Sequence, residues 1–126
     1  MELADFQDVT KITFKKRGPG PQAWKTWFTV SDPDDLRRML SAIRLEPFGS
    51  ARPGCIHELL ASFQKPSGGF NVDFCMACFG AYHMPEEFYA EFQRLARRRS
   101  RWVALLCSVL IVAALAIVLA ATRALK

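Results

Sequence analysis

The stretch from Trp102 to Thr122 constrains this chain more than any other, because its 21 residues include no charge, no glycine and no proline. A helix rises about 1.5 Å per residue, so a helix of this length would match a bilayer's hydrocarbon thickness of about 30 Å. Only the four residues 123–126 follow it. We therefore expect a single transmembrane helix that holds the chain as a tail anchor.

Charge divides the chain into two parts. Residues 1–93 carry 10 Lys/Arg and 12 Asp/Glu, whereas residues 94–126 carry seven basic residues and no acidic one, which makes the whole chain +5. The folded part therefore has a small net negative charge. A nucleic-acid-binding domain would need a basic surface of its own, so we expect no nucleic-acid partner.

The flanks of the uncharged stretch predict its orientation. Five arginines precede it and only Arg123 and Lys126 follow it, and Lys and Arg concentrate on the cytoplasmic side of membrane proteins. We expect a single-pass protein of the cytoplasmic (inner) membrane with its N-terminal domain in the cytoplasm. The residues expected to contact the interface and its anionic headgroups are Arg94, Arg97, Arg98, Arg99, Arg101 and Trp102.

The N-terminal region lacks the pattern of a signal peptide, since Asp5, Asp8 and a cluster of Lys and Arg stand where an apolar core would be. A cytoplasmic domain keeps its thiols reduced, so we expect no disulfide framework among the four cysteines. Cys107 lies within the uncharged stretch and is set apart from the other three.

Residue periodicity predicts four strands and two helices. Val9–Lys16 and Trp24–Val30 read as strands, the first with Ile12 and Phe14 on its buried face. Two further strands, 57–64 and 70–79, flank a turn of four or five residues at Lys65–Gly69.

Each of the two helices is predicted from the residues at its N-terminus. Asp32 is a suitable N-cap with Pro33 at the first helical position, and Leu36, Met39, Leu40 and Ile43 form one apolar stripe behind it. A second helix should begin at Pro85 and continue into the anchor.

These elements predict an α+β fold of order β-β-α-β-β-α, with a small antiparallel sheet and a last helix that continues into the transmembrane segment. The expected organisation is a disordered N-terminus (1–8), an α+β domain (9–96), a basic juxtamembrane segment (97–101), a transmembrane helix (102–122) and a short tail (123–126).

One set of residues has the composition of a metal site: Cys55, His57, Cys75 and Cys78. Three thiolates and one imidazole complete a tetrahedral zinc site, and C-x-x-C is a common ligand spacing. If the hairpin turns near residue 67, His57 faces residue 77 and Cys55 faces residue 79. Residues three apart on a straight strand point to opposite faces, so both Cys75 and Cys78 can bind only if a tight turn falls at Met76-Ala77.

Two alternatives stay open for these cysteines. They could be buried residues that behave as small apolar side chains. They could also form a redox pair, although a thioredoxin-like cysteine begins a helix, and Phe74 precedes Cys75 in a strand-like run. We identify no catalytic residues and no other cofactor, because no nucleophile elbow or carboxylate pair is present in the sequence.

The runs Trp27–Leu45, Cys55-Ile-His57 and Phe70–Phe79 resemble a pattern in small uncharacterised bacterial domains, in which a strand leads into a D-P-x-D-L helix and then a β-hairpin. The resemblance implies a fold and no activity.

For function we expect a non-enzymatic binding or regulatory module with an unknown protein partner at the membrane. The alternatives are a zinc-stabilised Cys/His domain and a membrane-bound thiol oxidoreductase. Small residues four apart in the span, Ala104 with Ser108 and Ala116 with Ala120, would permit a homodimer, but a solitary anchor is the simpler expectation.

Overall fold

The computed structural model describes residues 1–21, 23–49 and 54–125. Its elements follow the order of an α+β fold that ends in a long helix. They are a 3-10 helix Leu3–Phe6, then β1 Lys11–Arg17, β2 Trp24–Val30, α1 Pro33–Ser41, β3 Leu59–Lys65, β4 Gly68–Phe74, β5 Cys78–Phe79, β6 Tyr82–His83 and α2 Glu86–Ala124.

The strands form one antiparallel sheet in the order β2-β1-β3-β4-β5-β6. The predicted α+β class and antiparallel sheet are confirmed. The predicted order β-β-α-β-β-α lacks β5 and β6, which are two-residue strands too short to produce a periodic pattern. They extend the sheet beyond β4 by a small second hairpin.

The β3–β4 hairpin is tighter than predicted. Lys65 pairs with Gly68, so only Pro66 and Ser67 lie between the strands, and Gly68 has a φ of 125° that favours glycine. The shorter turn shifts the pairing by one residue from the predicted register, with Leu59 opposite Phe74.

Aromatic rings fill the core on one face of the sheet. Phe14, Phe63 and Phe74 are fully buried, as alternation along their strands requires. The first turns of α2 cover this face, because the ring centroid of Phe92 lies 5.0 Å from that of Phe14 and 5.1 Å from that of Phe74. Phe88 lies 5.0 Å from Phe79 in the same layer.

Helix α1 begins as its sequence predicts. The Asp32 carboxylate accepts hydrogen bonds from the backbone N–H groups of Asp34 and Asp35, and Pro33 occupies the first helical position. Of the apolar stripe, Leu36, Met39 and Ile43 are buried.

The N-terminus differs from the expected disordered segment. Residues Leu3–Phe6 form a 3-10 helix, and the Phe6 ring packs 5.0 Å from Phe63 and 5.3 Å from Phe70. The Lys65 ammonium group also donates to the backbone carbonyl of Asp5. Burying the Phe6 ring contributes about 1.5–3 kcal/mol to the order of this segment, and the Tyr82 hydroxyl also donates to the backbone carbonyl of Met1.

The chain divides into two compact units, the first Met1–Gln93 and the second beginning at Arg94. Within the described residues, Glu86–Ala124 is the one helix long and apolar enough to cross a membrane, and its most apolar window has a mean hydropathy of 3.1 with no part buried. Ser108 and Thr122, the hydroxyl residues of the predicted span, each donate to a backbone carbonyl within the helix.

Candidate metal centre

The segment Cys75–Cys78 is a tight turn between β4 and β5. The chain bends at Met76 and Ala77, and the Cys75 N–H donates to the carbonyl of Cys78 at 2.9 Å. This is the turn that the spacing requires if both cysteines are to approach one point. The backbone N–H of Ala77 also donates to the Cys75 sulfur at 3.4 Å.

The other two members lie in the segment that leads into β3. Cys55 and His57 are two residues apart and both half-buried, whereas Ile56 between them is 77% exposed. The alternation turns both polar side chains toward the turn that ends β4. Cys55 and Cys78 form a disulfide, with their Cα atoms 7.1 Å apart, and Cys75 is a free thiol.

His57 is held by a carboxylate. Its Nδ1 pairs with Oδ2 of Asp73, a residue of β4 that lies two positions before Cys75. The opposite ring nitrogen, Nε2, is buried and has no hydrogen-bond partner among the described residues. A buried polar atom without a partner is costly, so its presence calls for an explanation. Histidines that bind zinc through one nitrogen characteristically have the other bonded to a carboxylate or carbonyl.

The four side chains form a compact group of donors. One ligand atom from each of Cys55, His57, Cys75 and Cys78 lies within 4.8 Å of all the others. In a tetrahedral zinc site with bonds of about 2.0–2.3 Å, neighbouring ligand atoms are roughly 3.3–3.8 Å apart. Once the Cys55–Cys78 disulfide is reduced to two thiols, small rotations of these side chains would bring the ligand atoms to such distances, and the set could hold zinc.

The sequence also predicts that these four residues lie close together, but from a different pairing of the two strands. His57 and Cys55 were expected to face residues 77 and 79 on a continuing strand, but β3 begins at Leu59 and β4 ends at Phe74. The four therefore meet beyond the ends of the two strands. The disulfide also differs from the expectation of reduced thiols, and it forms where two of the three converging sulfurs meet.

Sequence reasoning missed Asp73. A signal was present, because Asp73 and Cys75 are two residues apart in an alternating run and so share a face. The same logic was applied to Cys55 and His57. A carboxylate beside a ligand is not itself part of a common ligand spacing, so spacing alone does not single out Asp73.

The predicted interface residues lie on one helix. Arg94, Arg97, Arg98, Arg99, Arg101 and Trp102 all belong to α2, where Trp102 is 60% exposed.

In comparisons with family models, curated proteins and solved structures, nothing matches this chain.

Proposed function

We propose that this chain is a zinc-stabilised, non-enzymatic binding or regulatory module, anchored by α2 with its domain on the cytoplasmic face of the inner membrane. The observation that carries the metal assignment is the convergence of one ligand atom from each of Cys55, His57, Cys75 and Cys78 within 4.8 Å. The buried Nε2 of His57, which has no hydrogen-bond partner among the described residues while Asp73 holds the other ring nitrogen, supports it. Zinc would occupy the point where these four donors meet.

The number of ligands supports a structural role for the metal. Four protein donors complete the tetrahedral sphere of zinc, whereas catalytic zinc sites keep one position open for water or substrate. The ion would fasten the turn at Cys75–Cys78 to the segment that precedes β3. It would thereby stabilise an end of the sheet that has only the two-residue strands β5 and β6 beyond it.

The alternative of a thiol oxidoreductase is less well supported. A C-x-x-C redox pair cycles between two thiols and a disulfide within the motif, but here Cys78 is bonded to Cys55 and not to Cys75. Cys75 also follows a strand and lacks the helix N-terminus that stabilises a reactive thiolate.

The membrane assignment is supported by the length of α2 and by the arginines that precede its uncharged stretch. A partner at the membrane is part of the proposal because a closed metal site has no chemistry of its own to perform.

The test is the metal content of the full chain, purified in a mild non-ionic detergent under reducing conditions. We expect one zinc per chain, and a lower free energy of unfolding when a strong chelator is added, because binding to the native state alone stabilises it. Cys75→Ser should remove the metal. Cys107→Ser is the matched control, because Cys107 lies outside the set, and it should keep the metal.

Absence of zinc from the reduced wild-type chain, with no effect of chelator on unfolding, would overturn the metal assignment. The cysteines would then be core residues or a redox pair. Turnover of a disulfide substrate that requires Cys75 would favour the oxidoreductase.

A further inference from the structure

One hairpin of the domain is basic, although the domain as a whole has a net negative charge. Residues 9–30 contain five Lys/Arg and no Asp/Glu, although the first 93 residues as a whole are net acidic. Strands β1 and β2 pair across this segment, with Lys16 opposite Lys25 and Arg17 opposite Trp24. We use the term basic hairpin for its turn-proximal residues, which are Lys15, Lys16, Arg17, Trp24, Lys25 and Trp27.

The charges of the basic hairpin are not neutralised by the domain. Lys16, Arg17 and Lys25 are exposed, and none of them forms an ion pair within the described ranges. Lysine and arginine of like charge are thus concentrated on the paired ends of two strands. Such a cluster attracts anionic partners.

Two tryptophans lie among these charges. The Lys16 ammonium group is 3.3 Å from the centroid of the Trp27 ring, and the Arg17 guanidinium is 5.7 Å from that of Trp24. Both tryptophans are half-exposed. Tryptophan favours the membrane–water boundary, and basic side chains next to it reach the phosphates of headgroups.

The basic hairpin also lies beside the last residues of its own unit. The Trp27 ring is 5.7 Å from that of Phe92, and the first unit ends one residue later, at Gln93. The chain then continues through the five arginines that precede the uncharged stretch. Trp27 therefore lies close to the residue at which the chain leaves the first unit.

We propose that the basic hairpin binds the surface of an anionic bilayer and so gives the domain a second membrane contact besides its anchor. The proposal rests on the anchoring role proposed for α2. Anchoring keeps the local concentration of lipid high, so even weak electrostatic attraction is effective. A nucleic acid would meet the same charges, but residues 1–93 as a whole carry a net negative charge, which disfavours it.

The test uses tryptophan fluorescence of the full chain carrying Trp102→Phe, so that emission comes from Trp24 and Trp27. The chain is reconstituted into phosphatidylcholine vesicles with and without phosphatidylglycerol, and the quencher is a brominated phosphatidylcholine. We expect quenching several-fold stronger when phosphatidylglycerol is present. High salt should reduce the difference, because surface charges are screened.

The decisive variant is Lys16→Glu/Lys25→Glu, which should lower quenching in anionic vesicles to the value found in phosphatidylcholine alone. Arg37→Glu/Arg38→Glu is the matched control: it changes the net charge equally at two exposed positions on α1, and it should leave quenching unchanged. Each variant is compared with itself in unbrominated lipid, which corrects for loss of the Lys16–Trp27 contact.

Equal quenching with and without phosphatidylglycerol, or quenching that the hairpin variant does not lower, would overturn the proposal. Flotation of the vesicles after alkaline carbonate extraction reports the anchor independently. A chain that floats without anionic quenching refutes only the hairpin contact, whereas a chain that is extracted by carbonate refutes the anchor on which it rests.

Discussion

His57 connects the chemistry of the proposed site to the strand that supports it. One ring nitrogen meets Asp73 and the other is buried without a partner among the described residues. The Asp73 side chain is 52% exposed, whereas the His57 side chain is only 11% exposed. The carboxylate therefore orients the imidazole from the solvent side, and its removal should disturb metal binding more than folding.

We predict that Asp73→Asn weakens zinc binding by about 10- to 100-fold, because the ligand histidine loses the carboxylate that fixes its tautomer and orientation. Competition with a chromophoric chelator measures the affinity. Asp34→Asn, at an exposed carboxylate on α1, should leave the affinity unchanged. Equal affinities for the wild type and Asp73→Asn would mean that the His57–Asp73 contact has no part in metal binding.

We predict that the Cys55–Cys78 disulfide prevents zinc binding. Diamide oxidises two thiols to a disulfide and takes up their two electrons and two protons, so it should convert Cys55 and Cys78 to the bonded form. Because zinc binds thiolates, the oxidised chain should take up no zinc, and a phosphine reductant should restore one zinc per chain. The measurement uses the Cys107→Ser background, so that only the three site cysteines can react.

Full zinc uptake by diamide-treated protein would show that the Cys55–Cys78 bond does not form in solution or does not compete with the metal. Mass spectrometry of alkylated peptides distinguishes these two results.

The four ligand candidates were predictable because their residue types and spacing are rare outside metal or redox sites. Their exact neighbours were not. Asp73 takes part only through its contact with His57, whose orientation depends on the segment before β3. The disulfide depends on which two of the three sulfurs the fold brings within bonding distance. Neither follows from spacing.

At the scale of elements, the β3–β4 hairpin positions the site, since it ends at Leu59 and Phe74 beside the candidate ligands. Its tight turn depends on glycine at two consecutive positions. At Gly68 the reason is a positive φ, and at Gly69 it is space, because a Cβ there would lie 2.6 Å from the carbonyl oxygen of Phe63.

We predict that Gly69→Ala lowers the free energy of unfolding by about 1–3 kcal/mol, because backbone must move to relieve the clash. Urea unfolding of the full chain in detergent, followed by near-ultraviolet circular dichroism, measures the change. Gly49→Ala is the control, since a Cβ at Gly49 meets no atom within 4 Å. If the two variants are equally stable, the turn tolerates the clash.

Elements with a strong local signal were predicted closely. Strand β2 has the predicted bounds, Trp24–Val30, and α1 begins at its proline behind the Asp32 cap. The elements that were missed are short. The 3-10 helix is fixed by one buried phenylalanine, and β5 and β6 exist because the Cys75–Cys78 turn folds the chain back on the sheet. Such tertiary causes leave no periodic pattern in the sequence.

At the scale of the whole molecule, the two units carry different proposed properties. The first unit holds the candidate metal donors and the basic hairpin, and the second holds the uncharged stretch. The arginines before that stretch predict which side of the membrane the domain occupies.

We predict that protease added to spheroplasts leaves the domain intact, because a cytoplasmic domain is shielded by the inner membrane. An antibody to an epitope at the N-terminus detects the fragment, and lysis with detergent before digestion should abolish the signal. Digestion of the domain in intact spheroplasts would place it on the periplasmic side and contradict the orientation that the arginines predict.

The position of the candidate metal centre in the chain determines when its residues are synthesised. Cys55, His57, Asp73, Cys75 and Cys78 all fall within 24 consecutive residues, on segments that are neighbours in the chain. Protein synthesis proceeds from the N-terminus, so the ribosome has joined all five before it reaches Trp102. A nascent chain therefore has every residue of the candidate metal centre before the uncharged stretch Trp102–Thr122 has been made.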